Sequence, residues 1–91
     1  MSKTIYKYRL QIEDRQHVLM SQGAEILSVQ FQNDILCMWA KVDPDNPKIS
    51  RRIAVVGTGH FFDDYDFEAY IGSVQDSVYI WHVFDLGEIK E

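Results

Sequence analysis

Ninety-one residues are enough for one small domain, and 46% of them are apolar, including five Phe, five Tyr and two Trp. This composition excludes intrinsic disorder, because so many aromatic side chains supply the apolar surface that a packed core needs. The formal net charge of −5 argues against sequence-independent nucleic-acid binding, which requires a basic surface to neutralise phosphates.

Two features of the sequence concern the compartment in which the chain works. No apolar stretch approaches the roughly 18 residues of a membrane span, and the first residues lack a signal-peptide core. The single cysteine, Cys37, lies in an apolar run and is interpreted as a buried hydrophobe in a reducing compartment, with a reactive thiol as the alternative. We therefore expect a cytoplasmic protein that binds neither membrane nor nucleic acid directly.

The apolar pattern has a period of two along almost the whole chain, which predicts β-strands. The predicted strands are, in order, 4–12, 16–20, 24–32, 35–42, 52–56, 67–74 and 78–86. Turn-forming residues separate them at 21–23, at 33–34, in the proline loop 43–47, at 57–60 and at 75–77. The tail 87–91 is charged and is expected to fray.

Six or seven strands at this spacing predict an all-β fold, a single domain spanning 1–91 that forms an antiparallel sandwich or a small barrel. Residues 35–42 are apolar on both faces and are predicted to form a central strand covered on both sides. One helical turn is possible within 61–70. Open sheet edges and surplus apolar surface also predict a homodimer. The predicted core residues are Leu27, Val29, Met38, Trp39, Val55, Ile71, Ile80 and Phe84.

The most distinctive segment is a short apolar strand that runs into the turn 57–60, Gly-Thr-Gly-His. Glycine permits a positive φ or the close approach of a ligand. One interpretation is a structural turn in which His60 bonds a backbone group. The other is an anion site, where backbone N–H groups bind phosphate and Arg51 or Arg52 adds positive charge. The turn lacks the lysine of a P-loop and the third glycine of a dinucleotide-binding fingerprint.

An acidic segment with interleaved aromatic residues follows this turn, from Phe61 to Phe67. Such a segment is most often a solvated loop, but exposed aromatics among carboxylates can also dock on a basic cleft of another protein. We therefore place the functional surface at 57–67 and not in the proline loop. The candidate ligand- or partner-binding residues are Gly57, Thr58, Gly59, His60, Phe61, Phe62, Asp63, Asp64, Tyr65, Arg51 and Arg52.

Metal binding and catalysis have weaker support. The three histidines are not spaced as metal ligands usually are, and His82, in an apolar strand, is interpreted as a buried, hydrogen-bonded residue. A hydrolase would need a serine such as Ser28, Ser73 or Ser77 beside His60, and no nucleophile-elbow motif is present. The sequence therefore predicts a non-enzymatic binding protein without a metal or a cofactor, and a small hydrolase or a metal-binding domain is the weakest alternative.

Six short segments, taken in order, resemble a family of small proteins encoded by tailed phages and prophages. The resemblance spans about 4–86 and implies a compact, stand-alone accessory protein, with no catalytic residues to transfer. On this basis the leading hypothesis is an anti-defence protein that binds and inhibits a host protein in the host cytoplasm. The alternative is a protein that sequesters a small phosphate-bearing nucleotide signal at 57–60. The segments are Ile-Tyr-Lys-Tyr at 5–8, Ile-Leu-Ser-Val-Gln at 26–30, Trp-Ala-Lys-Val-Asp-Pro at 39–44, Val-Gly-Thr-Gly-His at 56–60, Tyr-Ile-Gly at 70–72 and Trp-His-Val-Phe at 81–84.

Overall fold

Two antiparallel sheets account for all seven strands of the computed structural model, which describes residues 2–63 and 68–89. The three-stranded sheet has the order β1-β4-β3, and the four-stranded sheet has the order β2-β5-β7-β6. They pack into a thin plate with extents of 42 × 31 × 16 Å, so the predicted all-β class is confirmed and the architecture is a small sandwich. The strands are β1 (Thr4–Arg9), β2 (Gln16–Ser21), β3 (Glu25–Gln32), β4 (Ile35–Val42), β5 (Lys48–Gly57), β6 (Ala69–Asp76) and β7 (Tyr79–Glu88).

The hairpin between β3 and β4 follows the sequence pattern closely. Asn33 and Asp34 have φ angles of 51° and 64°, which is the left-handed conformation of a two-residue hairpin turn. The chain end differs from expectation, since Glu88 pairs with Arg51 and the Ile89 N–H donates to Ser50 O at 2.9 Å. The prediction of a frayed tail is therefore wrong for 87–89. The possible helical turn within 61–70 lies partly outside the described residues, and those described there are not helical.

The core is a single layer of side chains between the sheets. Met38 from β4 meets Ile53 and Val55 from β5 and Val83 from β7, and all four are buried. Among the predicted core residues, Met38 and Val55 are thus confirmed, while Val29 and Ile71 pack against the core and are partly buried. Burial of these apolar groups is the main force that holds the two sheets together.

Leu27 is the clearest error in the predicted core, and a β-bulge explains it. Ile26 pairs with Ala40 and Ser28 pairs with Trp39, so Leu27 is an extra residue with no partner in the ladder. The extra residue shifts the alternation by one position. Ile26 therefore packs on the core together with Val29, and Leu27 is exposed.

Trp39, Ile80 and Phe84 were also predicted in the core, and the structure places them on the outer faces of the sheets. The inner face of β7 is formed by Trp81 and Val83, so before the bulge at Leu86 the even-numbered residues from 80 to 84 point outward and are partly buried. In β4 the inner face includes Met38, so Trp39 lies on the other side. The predicted central position of β4 is correct, and Cys37 on its outer face is buried. Coverage of that face is incomplete, because Ile35 is exposed.

The first prediction compares two neighbouring residues of β4. Met38→Ala should lower the free energy of unfolding by about 2–5 kcal/mol, because it leaves a cavity in a fully buried site. Trp39→Ala should cost less than half of that, although it removes a larger side chain, because Trp39 is only partly buried. Urea unfolding of both variants measures the difference. A larger loss for Trp39→Ala would contradict the assigned inner face.

The second prediction concerns alkaline pH. Burial raises the pKa of Tyr8 above its ordinary value of 10.0, although a hydrogen bond from the backbone of Ser21 opposes the shift. The folded state therefore disfavours the phenolate. The stabilisation from the neutral phenol is complete below pH 10 and is lost as the pH rises through the folded-state pKa. In a series of unfolding curves above pH 10, Tyr8→Phe should lose stability less steeply than the wild type; equal slopes would count against this assignment.

Candidate functional site

In the turn after β5, two backbone N–H groups are hydrogen-bonded to carbonyl oxygens of the protein itself. The Thr58 N–H donates to Ile80 O and the His60 N–H donates to Gly57 O, both at 3.0 Å. A Cβ at Gly57 would lie 2.8 Å from the His60 ring, so only glycine allows the imidazole to fold back over the strand end. The ring also makes an edge contact with Trp81, with centroids 6.0 Å apart. The structural interpretation of this turn therefore has direct support.

A chain of side-chain hydrogen bonds crosses the outer face of the four-stranded sheet. Thr58 Oγ1 lies 2.6 Å from His82 Nε2, and Tyr70 Oη lies 2.8 Å from His82 Nδ1, so both ring nitrogens have a hydroxyl partner. His82 is thus hydrogen-bonded as expected, but it is only partly buried. The distance between Thr58 and His82 suits a nucleophile–base pair. However, both hydroxyls lie on an exposed surface, where water competes for them, and we assign the chain a structural role.

Three aromatic rings gather beside this hydrogen-bond chain, those of Phe62, Tyr70 and Phe84. Together with Phe61, which precedes Phe62 in the sequence, they form what we call the aromatic surface. The centroid of Phe84 lies 6.0 Å from that of Phe62 and 5.2 Å from that of Tyr70, distances typical of favourable ring contacts. Phe61 is fully exposed at 101%, whereas Phe62 and Tyr70 are about half exposed. The two phenylalanines after the turn were predicted from the sequence, but the contributions of β6 and β7 were not.

An exposed carboxylate follows the two phenylalanines in sequence. Asp63 is 90% exposed and makes an ion pair of 3.5 Å with Arg15, which is also exposed. Glu68 is the next described acidic residue along the chain. The remaining predicted residues of the acidic segment, Asp64 and Tyr65, lie outside the described residues.

The two arginines predicted to assist at the turn lie elsewhere. Arg51 and Gly57 are six residues apart on one strand, which places them about 20 Å from each other. Arg51 points between the sheets, and the Arg52 guanidinium donates to Leu86 O at 2.8 Å. The structure therefore brings Thr58, His60 and the phenylalanines of the turn into one region, without either arginine.

Arg51 instead forms a buried ion pair that sequence analysis missed. Its Nε donates to Asp85 Oδ1 at 3.0 Å and its Nη2 to Asp85 Oδ2 at 2.7 Å, while Nη1 donates to Ala24 O at 2.8 Å. Glu88 is 3.8 Å from Nη1. The hydrogen bonds with Asp85 raise the pKa of Arg51 above its ordinary value, against the opposing effect of burial. The Arg51 guanidinium therefore stabilises the fold and is not exposed at the turn.

A bulge in β7 makes this arrangement possible. Arg52 pairs with Gly87 and Ile53 pairs with Asp85, so Leu86 is an extra residue and Asp85 and Glu88 both face Arg51. Gly87 has a φ of 95°, and a Cβ there would lie 2.7 Å from Glu68 Oε1. The sequence contains one indication of this ion pair. Asp85 lies on the same face of β7 as Trp81 and Val83, and a carboxylate on a buried face requires a positively charged partner.

The third prediction tests the ion pair. Arg51→Met should lower the free energy of unfolding by about 3–5 kcal/mol, because it leaves the Asp85 carboxylate buried without its cation. Arg51→Met combined with Asp85→Leu should recover much of that loss. As a matched control, Lys41→Met removes an exposed ion pair with Glu25 and should cost less than about 1 kcal/mol. Chemical denaturation gives all three values, and equal losses for Arg51→Met and Lys41→Met would refute the prediction.

In the described part of the chain, no three His, Cys, Asp or Glu side chains lie close enough together to hold a metal ion. Nor do residues 2–63 and 68–89 include a helix long and apolar enough to cross a bilayer.

Comparisons with known proteins identify one family. A family model described as Domain of unknown function (DUF7352) matches residues 1–91. Neither the curated proteins nor the solved structures gave a match. Because the family model matches well over half of the sequence, this chain belongs to the DUF7352 family.

Proposed function

We propose that this protein is a non-enzymatic binding module that docks on another protein through its aromatic surface. The observation that carries the proposal is Phe61, a phenylalanine with its whole side chain in water. It directly precedes Phe62, whose ring belongs to a cluster with Phe84 and Tyr70. Exposing a large aromatic ring costs free energy that burial against a partner recovers. Aromatic residues are also enriched among the anchors of protein interfaces.

The charges around these rings favour a partner with a basic cleft. Asp63 extends into solvent next to Phe61 and Phe62, and the chain carries a net charge of −5. The ion pair between Asp63 and Arg15 is exposed, so exchanging Arg15 for a partner's cation costs little. Opposite charges would speed the encounter, and the rings would slow dissociation.

The resemblance to phage-encoded proteins supports a host protein as the partner and inhibition as the result of binding, which is the role of an anti-defence protein. Binding through an exposed surface requires no catalytic group. Such binding fits a small accessory protein in which the polar residues near the rings have a structural role. His82, for example, is hydrogen-bonded to Thr58 and Tyr70.

The nucleotide-sequestering alternative has less support from the geometry. The Thr58 and His60 N–H groups donate to carbonyls of the protein, which leaves fewer donors for phosphate in this turn. Arg51 and Arg52 were expected to add positive charge at the turn. Even Arg52, the nearer of the two in sequence, lies five residues before Gly57, where β5 ends. The aromatic surface, by contrast, needs neither free N–H donors nor a nearby arginine to contact another protein.

The fourth prediction tests the aromatic surface with two exposed residues. Immobilised wild type should retain a partner from a host-cell extract, and the purified partner should bind Phe61→Ala at least about tenfold more weakly. Val78→Ala is the matched control, because Val78 is 83% exposed on the turn between β6 and β7. It should bind within about twofold of wild type. Neither change should alter stability by more than about 0.5 kcal/mol.

Isothermal titration calorimetry with the purified partner gives these affinities. Equal binding by Phe61→Ala and Val78→Ala would contradict the assigned surface. Thermal unfolding with a panel of nucleotides separates the alternative, since a ligand at about 100 times its Kd stabilises the folded state by roughly 2.7 kcal/mol. The nucleotide hypothesis would be favoured if a nucleotide stabilised the wild type by that amount and stabilised Phe61→Ala equally.

A further inference from the structure

The outer face of the three-stranded sheet lies on the other side of the sandwich from the aromatic surface. Residues that pair directly in an antiparallel sheet point to the same face, so the register assigns the side chains of this one, starting from Trp39 between Lys7 and Ser28. All are exposed except Trp39, which is partly buried, and Cys37, which is buried. The face carries Ile5, Lys7 and Arg9 from β1, Ile35, Cys37, Trp39 and Lys41 from β4, and Glu25, Ser28, Gln30 and Gln32 from β3.

The charge of this face is opposite to that of the whole chain. The sequence contains 14 acidic and 9 basic residues. The paired positions of this face nevertheless hold one carboxylate, Glu25, and three cations, Lys7, Arg9 and Lys41. Lys41 makes an ion pair of 3.3 Å with Glu25. Lys7 and Arg9 are in no ion pair with any residue that the structure describes. Their positive charge is therefore available to a partner.

Lys7 is held over the face by a hydrogen bond that leaves its charge intact. Lys7 Nζ donates to Gln32 Oε1 at 2.8 Å. Because Lys7 is on β1 and Gln32 is on β3, the two side chains meet across β4, on the face that includes the buried Cys37. Gln32 is uncharged, so the ammonium group is positioned but not neutralised.

Apolar side chains lie among these cations. Trp39 is at the centre of the face, with Lys7 beside it and Lys41 two residues further along β4. Ile5 is 56% exposed next to Lys41, and Ile35 is 36% exposed. Ile35 and Trp39 are four residues apart on one strand, so the apolar side chains extend over about 13 Å. The face therefore combines exposed apolar area with positive charge.

Protection of an edge strand explains only part of this arrangement. Charged side chains on an edge discourage pairing with other chains, and Lys7 and Arg9 are on the edge strand β1. Lys41 and Trp39, however, belong to β4, which is the central strand and has no free edge. Trp and Arg are enriched among the residues that dominate the binding energy of protein interfaces. A tryptophan with an unpaired arginine on the same face therefore favours a binding surface.

We propose that this face, which we call the basic face, binds an acidic segment of another protein. Carboxylates of the segment contact Lys7 and Arg9, and its apolar side chains cover Trp39 and the exposed isoleucines. A nucleic acid fits less well, because its sugar–phosphate backbone offers no apolar partner for the isoleucines. Trp39 is also the only aromatic residue in the paired positions of the face, so a single base could stack there.

Selection from a displayed library of random peptides tests the chemistry of the partner. Peptides retained by immobilised wild type should include a class rich in Asp, Glu and apolar residues. Arg9→Glu should lose this class, and Lys48→Glu should keep it. Lys48 is the matched control, because it is exposed on the four-stranded sheet and its reversal changes the net charge equally. Phe61→Ala should also keep the acidic class, which distinguishes the basic face from the aromatic surface.

Fluorescence anisotropy with one labelled acidic peptide from the selection gives the affinities. Arg9→Glu should bind this peptide at least about tenfold more weakly than the wild type, and Lys48→Glu within about twofold. Added salt should weaken binding to the wild type, because exposed charges are screened. Arg9 is exposed, so its replacement should leave the fold intact, and circular dichroism checks this.

Several results would overturn the proposal. A selection that yields no acidic class shows that the face has no acidic partner. Equal weakening by Arg9→Glu and Lys48→Glu shows that net charge, and not this face, determines binding. If a thymidine oligonucleotide binds more tightly than the peptide and Arg9→Glu abolishes this binding, the ligand is a single-stranded nucleic acid. If light scattering shows a wild-type oligomer that Arg9→Glu dissociates, a second copy of the chain occupies the face.

Discussion

The buried side chain of Arg51 organises one end of the sandwich. Arg51 lies between the sheets, and its hydrogen bonds with Asp85 and with Ala24 O join the four-stranded sheet to the chain that enters β3. An arginine tolerates burial only when its donors and its charge are both matched. That condition requires Asp85 and Glu88 on one face of β7, which requires the bulge at Leu86, and the bulge requires a residue at 87 that accepts a positive φ. The Glu68 carboxylate packs over Gly87, and the Glu68 N–H donates to Asp85 O at 2.8 Å just before β6 begins.

The sequence predicted strands well and their inner faces poorly. Alternation identified all seven strands and the hairpin turn at Asn33-Asp34, because these depend on local residues. The face that a strand turns inward depends on the opposite sheet, and strands such as β7 are apolar on both faces, so Phe84 was assigned to the wrong side. The bulge at Leu27 reversed the alternation without any distinctive residue to mark it.

The candidate site shows the same division between local and long-range information. The turn at 57–60 and the aromatic residues after it are neighbours in sequence, and the sequence was sufficient to select them. Tyr70 and Phe84 join them only because β6 and β7 lie beside each other in the sheet. Arg51 was assigned to the turn from its proximity in sequence, whereas its actual partner, Asp85, is 34 positions away. Because β5 is extended, the six residues from Arg51 to Gly57 place the arginine far from the turn.

The position of β7 has a consequence for the order in which the molecule is made. β7 is the last of the seven described strands to leave the ribosome, yet it lies in the interior of its sheet, between β5 and β6. Until it is synthesised, β5 and β6 have no shared neighbour, and Arg51 lacks its ion-pair partners Asp85 and Glu88. Contacts between distant parts of a chain form slowly, because loop closure costs entropy before the contacts compensate. Translation must therefore pass the end of β7 before the four-stranded sheet can assemble, and a nascent chain that stops short of β7 lacks the strand that joins β5 to β6.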